Sequence, residues 1–394
     1  MNAAIGGDDR DETQAGRRVN QMNRILITGG AGFIGSHTAD RMLERGYAVR
    51  VLDCLQPRVH RAGRPNYLPR DAEFMEGDVC DRAAWERALD GVDAVFHLAA
   101  YQDYMPDFST FLNVNAASTA LLYEIAVAQR LPLQKIVLAS SQSVYGEGRY
   151  ACGDHGVLYP GSRPIEQLER GEWEHLCPRC GSVLTPAELD ESFANPHTAY
   201  GISKYAAELL GLALGRRYGI PTVALRYSIV QGPRNSPHNA YSGVCRTFTQ
   251  RLLHHKAPVI YEDGRQLRDY VHVQDVASAH VAVLESPAAD FEVFNVGGQR
   301  AVSVAEFAGM VTAACGENID PIFSGAFRVG DTRHTISSSA KIGRLGWRPR
   351  VAVEQVVADY VGWARQLQDV PDSTEQAAAE MTARGVLRSS AVHA

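Results

Sequence analysis

Between residue 22 and about residue 365, short β-branched runs alternate with amphipathic stretches. The segments 24–28, 48–53, 94–99, 135–140 and 222–227 have the length and the Val, Ile and Leu content of buried strands, and the stretches between them carry helical spacing. This alternation predicts parallel βαβ units, hence an α/β chain with a Rossmann-type doubly wound parallel sheet. Residues 147–194 break the rhythm. They are rich in Gly, Pro, Cys and charge, show little strand or helix period, and read as an insertion. Residues 1–21 and 367–394 are polar and without a sustained period, and read as tails. The expected organisation is a doubly wound domain over 22–230 plus about 262–285, carrying the insertion, and a smaller C-terminal lobe over 231–261 plus 286–366.

The first strand runs directly into Gly29-Gly30-Ala31-Gly32-Phe33-Ile34-Gly35 and then a helical pattern. At such a junction Gly29 permits the tight turn, Gly32 lets backbone N–H groups reach a pyrophosphate, and Gly35 lets the helix pack on the strand. The helix N-terminus adds complementary partial positive charge. The second strand ends in Asp53, at the distance where an acid meets the adenosine ribose. A carboxylate there bonds a free 2′-hydroxyl and repels a 2′-phosphate, so NAD is expected rather than NADP.

Tyr200 and Lys204 stand at i, i+4 in a helical pattern, on one face and one turn apart. A cation beside a phenol favours phenolate, so Lys204 is expected to lower the pKa of Tyr200 towards the working range of a general base. Inside the insertion, Cys152 and His155 form one C-x2-H pair and Cys177 and Cys180 one C-x2-C pair. Two ligand pairs at this spacing close a tetrahedral Zn²⁺ site with no open position, so the metal is expected to be structural. His175 is a competing ligand, and two unrelated free thiols with a surface histidine are the alternative.

Taken together, the GxxGxxG spacing, Gly77-Asp78-Val79 after the third strand, His97-Leu98-Ala99-Ala100 after the fourth, Ser141-Gln142-Ser143-Val144-Tyr145-Gly146 and Tyr200-x-x-x-Lys204 resemble the extended short-chain dehydrogenases of the nucleotide-sugar epimerase and dehydratase family. The resemblance covers 22 to about 365. It implies that Asp78 and Val79 touch the adenine, that Leu98, Ala99 and Ala100 line the cofactor, and that Phe33 and Ile34 join the glycines. It also implies that Ser141 bonds the reacting sugar oxygen while Tyr200 and Lys204 serve both catalysis and cofactor. In the family's 4,6-dehydratases the two residues after that hydroxyl are Asp and Glu. Here they are Gln142 and Ser143, neither an effective acid or base at neutral pH, so the resemblance favours epimerisation at C4 through a keto-sugar, with NAD regenerated each cycle. A dehydrogenase/reductase, an epimerase acting at another carbon, and a non-catalytic NAD-binding protein stay open as alternatives.

On the substrate side, Arg268 in Arg268-Asp269-Tyr270-Val271-His272-Val273 matches the family position that clamps the nucleotide diphosphate, and Arg328 or Arg333 the second anchor. Tyr101, Gln142 and Ser143 fall where the family surrounds the sugar. Ile229 stands where the family has an Asn that helps hold the diphosphate, which implies a shifted substrate pose. The cysteine insertion is similar to those of some bacterial sugar 4-epimerases, the dTDP-L-rhamnose group among them. The family also implies a homodimer. Composition narrows the partners further. A net charge of −6, with 21% charged residues, offers no basic face for nucleic acid. No apolar run approaches the roughly 18–20 residues of a membrane span. Seven cysteines, an odd count, fit a reducing compartment, so the expected location is cytoplasmic.

Overall fold

A computed structural model describes residues 22–238, 243–367, 370 and 372–391. The expected tail at 1–21 lies outside the described residues. The central sheet has seven parallel strands: β1 (Arg24–Thr28), β2 (Ala48–Asp53), β3 (Glu73–Glu76), β4 (Ala94–His97), β5 (Lys135–Ser141), β6 (Thr222–Tyr227) and β7 (Val293–Val296). Their order is β7-β6-β5-β4-β1-β2-β3, so the chain reverses its winding between β1 and β4. Crevices at such switch points, outside the carboxyl ends of the strands, are where doubly wound sheets bind ligands.

Both faces of the sheet are covered, as a parallel sheet requires. Ile25, Ile27, Val49, Val51 and Phe96 pack under the helices Phe33–Glu44 and Val273–Glu285. Leu26, Val95, Ile136 and Leu138 pack on the other side against Trp85, Leu122, Tyr123 and Ile125. The lobe has its own core. Helices Val244–Leu253, Val304–Ala314 and Val353–Ala364 pack around Phe248, Tyr270, Phe307 and Tyr360.

Four expectations change. Strand β7, placed in the lobe by sequence, completes the main sheet, because Val293–Val296 pairs in parallel with β6. Segment 262–285 is divided: Leu267–His272 joins a three-stranded sheet with Ile229–Gln231 and Ala301–Ser303, while Val273–Glu285 covers the main sheet. The insertion is not irregular, since Arg149–Cys152 pairs antiparallel with Gly156–Leu158 and Thr185–Ala187. The C-terminal segment is no loose tail either. Helix Thr374–Ala383 and strand Leu387–Ser389 return to the lobe, where the strand pairs with Ala326–Arg328 and Met381 and Leu387 pack on Met105. An apolar pattern too short to show a period found its partner in an edge strand far away in sequence.

Phe108–Ala128 is long and apolar enough to match a membrane span by length and composition, although half of it is buried in the fold. Polar Asn113, Asn115, Ser118 and Glu124 interrupt the stretch, which is why it does not read as an apolar run.

Candidate active site

The cofactor end of the site is built by strand β1, the glycine turn and the helix Phe33–Glu44. A Cβ on Gly35 would sit 2.2 Å from the Gly29 carbonyl oxygen and 2.6 Å from the Gly30 Cα, both backbone atoms that cannot move aside. Gly29 has φ +65°, and a Cβ there would lie 2.8 Å from Ala99 Cα and N, so the turn abuts the chain leaving β4. Gly32 faces the other way. Within 4 Å its Cβ would meet only the Gly29 carbonyl, at 3.2 Å, which leaves space for a ligand against the helix N-terminus. That helix has no side-chain cap, so its first N–H groups are available to a pyrophosphate. Phe33 and Ile34 form the first turn.

Asp53 is buried at the end of β2, where its carboxylate accepts from Ala31 N at 3.0 Å and Leu55 N at 2.9 Å. Gly77 N donates to the Asp53 carbonyl at 3.0 Å and brings Asp78 and Val79 to the same edge. Asp78 Oδ1 also accepts from Cys80 N at 2.8 Å, so it caps its own turn. The Val79 side chain is buried in the core. Leu98 and Ala99 are tied to β1 through the Thr28 carbonyl and hydroxyl, at 3.3 and 3.2 Å, and Ala100 follows them. The glycine cradle, the open helix end and the buried acid together fit an NAD with a free ribose hydroxyl.

The three residues expected to be catalytic, Ser141, Tyr200 and Lys204, meet where helix Ala199–Tyr218 crosses the end of β5. Thr198 caps this helix by accepting from Gly201 N at 3.1 Å, and Gly219, with φ +69°, ends it. Ser141 closes β5. Its hydroxyl oxygen accepts from Ser143 N at 3.1 Å and lies 3.1 Å from Ser143 Oγ, so Ser143 orients it. Gln142 Oε1 is buried without a partner among the described residues. Lys204 Nζ donates to the Ala139 carbonyl at 2.8 Å and lies 6.0 Å from the centre of the Tyr200 ring.

The electrostatics correct the sequence reading. Burial pushes the Tyr200 phenol up to about 12, and a hydrogen bond from Ser141 only partly opposes it. Burial also pulls Lys204 down to about 8. The phenol's acidity follows its burial, Ser141 and Tyr104, with no resolved pull from Lys204.

The arginines expected on the substrate side fare differently. Arg268 gives Nη1 to the Leu267 and Arg333 carbonyls at 2.8 and 2.9 Å and Nη2 to the Thr332 carbonyl at 2.5 Å, leaving two of its five donors over. Arg328 donates Nε to Asp331 at 2.8 Å, and its guanidinium carbon lies 4.0 Å from the centre of the Tyr104 ring. Tyr104, in the 101–107 loop after β4, lies under the Arg328 guanidinium and near enough to Tyr200 to raise its phenol slightly further.

Arg333 is a correction. Its side chain is 0% exposed, and all five donors are taken by Glu174, Glu262 and Asp263 at 2.5–3.1 Å, so none remains for a substrate. Tyr101 donates to Asp107 at 2.6 Å, and its backbone N–H to Asn115 Oδ1 at 2.8 Å. Asn115 was missed. It sits in a π-helical turn, Leu112–Ala117, and donates to Ser203 Oγ at 2.9 Å and to the Tyr101 carbonyl at 3.0 Å, tying helix Ala199–Tyr218 to the 101–107 loop. A buried Asn in an apolar helix was the readable signal. Ile229 pairs with Tyr270 across the small sheet and packs on the lobe core.

In the insertion, one ligand atom each from Cys152, His155, Cys177 and Cys180 lies within 4.8 Å of the others. His155 Nδ1 is 3.5 Å from Cys152 Sγ and 3.4 Å from Cys177 Sγ, and Cys152 Sγ is 3.7 Å from Cys180 Sγ. His175 does not belong to this set of converging ligand atoms, and its Nε2 lies 3.0 Å from Glu147.

Such a fold and triplet define an NAD-binding enzyme that handles a hydroxyl next to a hydride. The chain belongs to the NAD dependent epimerase/dehydratase family, whose model matches residues 25–162 and 178–297. It is 33% identical over 353 residues to the dTDP-L-rhamnose 4-epimerase of Burkholderia thailandensis, covering 88% of this chain and 96% of that protein. The structure of a Thermotoga maritima UDP-glucose 4-epimerase with UDP-glucose superposes with TM-score 0.71 at 30% identity, covering 87% of this chain and 99% of that one. A Thermus thermophilus UDP-glucose 4-epimerase in complex with NAD gives TM-score 0.69 at 29% identity, covering 87% and 99%.

Because the atoms facing Gly35 are backbone, Gly35→Ala is expected to strip NAD from the purified protein, read by releasing and quantifying the nucleotide after denaturation. Wild-type NAD content in this variant would contradict the assigned cradle.

Proposed function

We propose that this chain is an NAD-dependent nucleotide-sugar 4-epimerase. The observation that carries the reading is the Ser141, Tyr200 and Lys204 site with Gln142 and Ser143, rather than an acid pair, beside it. Bound NAD⁺ supplies the hydride acceptor, later the hydride donor, and its positive charge opposes the burial that holds the Tyr200 phenol protonated. Tyr200 takes the proton of the sugar C4 hydroxyl and returns it once the ring carbon has inverted. Ser141, oriented by Ser143, bonds that oxygen throughout, and Lys204 holds the cofactor ribose. Arg268 and Arg328 hold the diphosphate, with Tyr101 and Gln142 facing the sugar. Phe108, Leu112, Ile202, Leu209, Leu210 and Tyr218, exposed apolar side chains on Phe108–Ala128 and Ala199–Tyr218, support a homodimer through these helices.

The test is a panel of dTDP- and UDP-hexoses incubated without added NAD and followed by NMR. Inversion at C4 is expected, and Tyr200→Phe is expected to lower turnover by at least about 10³-fold while keeping NAD bound. A stoichiometric absorbance rise at 340 nm that needs added NAD would instead mark a dehydrogenase, and silence across the panel a binding protein.

The four-residue cluster in the insertion supports a structural zinc. A tetrahedral site with ordinary bond lengths has edges of about 3.8 Å between sulfurs and about 3.5 Å between sulfur and nitrogen, which the observed separations match. Elemental analysis is expected to find about one zinc per chain, lost in Cys177→Ser. Metal-free protein purified with zinc present would overturn the assignment.

A further inference from the structure

Two paths of contacts run from Glu174, in the insertion, to Arg268, in the lobe. Along the first, Glu174 Oε1 accepts from Arg333 Nε at 3.1 Å and Nη2 at 2.5 Å, and the carbonyls of Arg333 and Thr332 accept from the Arg268 guanidinium. Along the second, Glu174 Oε2 is 3.0 Å from His334 Nε2, and His334 Nδ1 accepts from Leu267 N at 3.1 Å, one residue before Arg268. Since Nδ1 accepts, the neutral ring carries its proton on Nε2 and donates to Glu174. Both arms therefore depend on one carboxylate.

The surroundings hold this relay rigid. Arg163, also from the insertion, forms a two-pronged pair with Glu262 at 2.9 and 3.0 Å and donates to the Asp331 carbonyl at 2.9 Å. Glu147, just past the catalytic loop, accepts from Arg333 N at 3.0 Å, and Thr332 Oγ1 donates to the Gly146 carbonyl at 3.2 Å. Strap 331–334 is thus pinned to the catalytic loop, the insertion and the lobe together. A buried guanidinium with every donor matched has one low-energy arrangement. Arg268, whose direction the strap's carbonyls fix, keeps Nε and one Nη2 hydrogen without a protein acceptor among the described residues.

We propose that Glu174 is a positioning residue that aims Arg268 at the diphosphate of the substrate, so that the insertion sets nucleotide affinity instead of only stabilising itself. The inference rests on the reading of Arg268 as a diphosphate clamp. Glu174 lies three residues before Cys177, and Cys177 N donates to the Ser182 carbonyl while Leu184 N donates to the His175 carbonyl. The fold of the knuckle therefore places the carboxylate. A displacement of the order of 1 Å at a charge-clamping group is enough to cost about tenfold or more in recognition.

The experiment is calorimetric titration of NAD-bearing protein with dTDP and with UDP, for the wild type, Glu174→Gln, Arg268→Gln and the double variant. Glu174→Gln is expected to weaken diphosphate binding about tenfold with unchanged NAD content, and the double variant to bind no more weakly than Arg268→Gln alone, because both act through one guanidinium. In turnover the same loss is expected in KM, with kcat changed less than about threefold. His334→Gln cuts one arm while leaving Glu174 paired with Arg333, and is expected to give a smaller loss of the same kind even if Glu174→Gln folds poorly. Wild-type affinity in both Glu174→Gln and His334→Gln, or losses that add in full to Arg268→Gln, would overturn the proposal. Wild-type affinity in Arg268→Gln would overturn the clamp itself. Titration with nucleotide alone needs no epimerisation, so a failure of the epimerase reading would appear only in the sugar panel.

Discussion

The site depends on how closely helix Ala199–Tyr218 can lie on strand β5. Three glycines make that approach possible. A Cβ on Gly201 would stand 2.5 Å from the Ser143 carbonyl, one on Gly211 2.1 Å from Leu138 Cδ1, and one on Gly215 2.4 Å from Thr222 Oγ1. Glycine inside a helix costs about 1 kcal/mol relative to alanine, a cost offset here by contact along the whole helix. The close packing puts Tyr200 and Lys204 against the end of the strand that delivers Ser141. It also buries them, and the same contact that assembles the triplet moves the Tyr200 phenol up and the Lys204 ammonium down. Geometry and acidity are thus set by one interface.

Around this contact, charge is organised in two ways. Near the proposed chemistry, charged groups mostly face carbonyls or aromatic rings: Lys204 on Ala139, Arg268 on three main-chain oxygens, and Arg328 on Tyr104 as well as on Asp331. Away from it, the insertion meets the lobe through an ionic network centred on the buried Arg333 and Glu262. Breaking one partner of such a network leaves an uncompensated buried charge, at a cost of about 3–5 kcal/mol. A small insertion with a core of Tyr150, Cys152, Cys177 and Leu184 could not hold an orientation by apolar contact alone. The ionic network gives it one.

What could be read from the chain followed from locality. The glycine turn, Asp53, the Tyr200/Lys204 pair and the cysteine knuckle are short motifs whose geometry is fixed within a few residues, and their side chains lie where spacing places them. Arg333 was misread because its motif resembles a substrate anchor while its fate is decided by Glu174 and Asp263, 159 and 70 residues away in sequence. Strand β7 was placed in the wrong lobe for the same reason, since only pairing with β6 reveals its sheet. The C-terminal strand has three residues, too few for a period, and exists because Ala326–Arg328 offers it an edge. The Tyr200 phenol moves up instead of down because spacing reports a neighbouring cation but not how deeply the phenol is buried.

The most direct test of the central claim follows the C4 hydrogen. A nucleotide sugar that the enzyme accepts, deuterated at C4, is converted in ordinary water, and the product is analysed by NMR and mass spectrometry. If Tyr200 moves only the hydroxyl proton while the carbon-bound hydrogen travels as a hydride within the closed site, deuterium stays at C4 of the inverted product and no solvent hydrogen enters there. Loss of the label to water at C4 would show inversion by proton exchange, and would contradict the account.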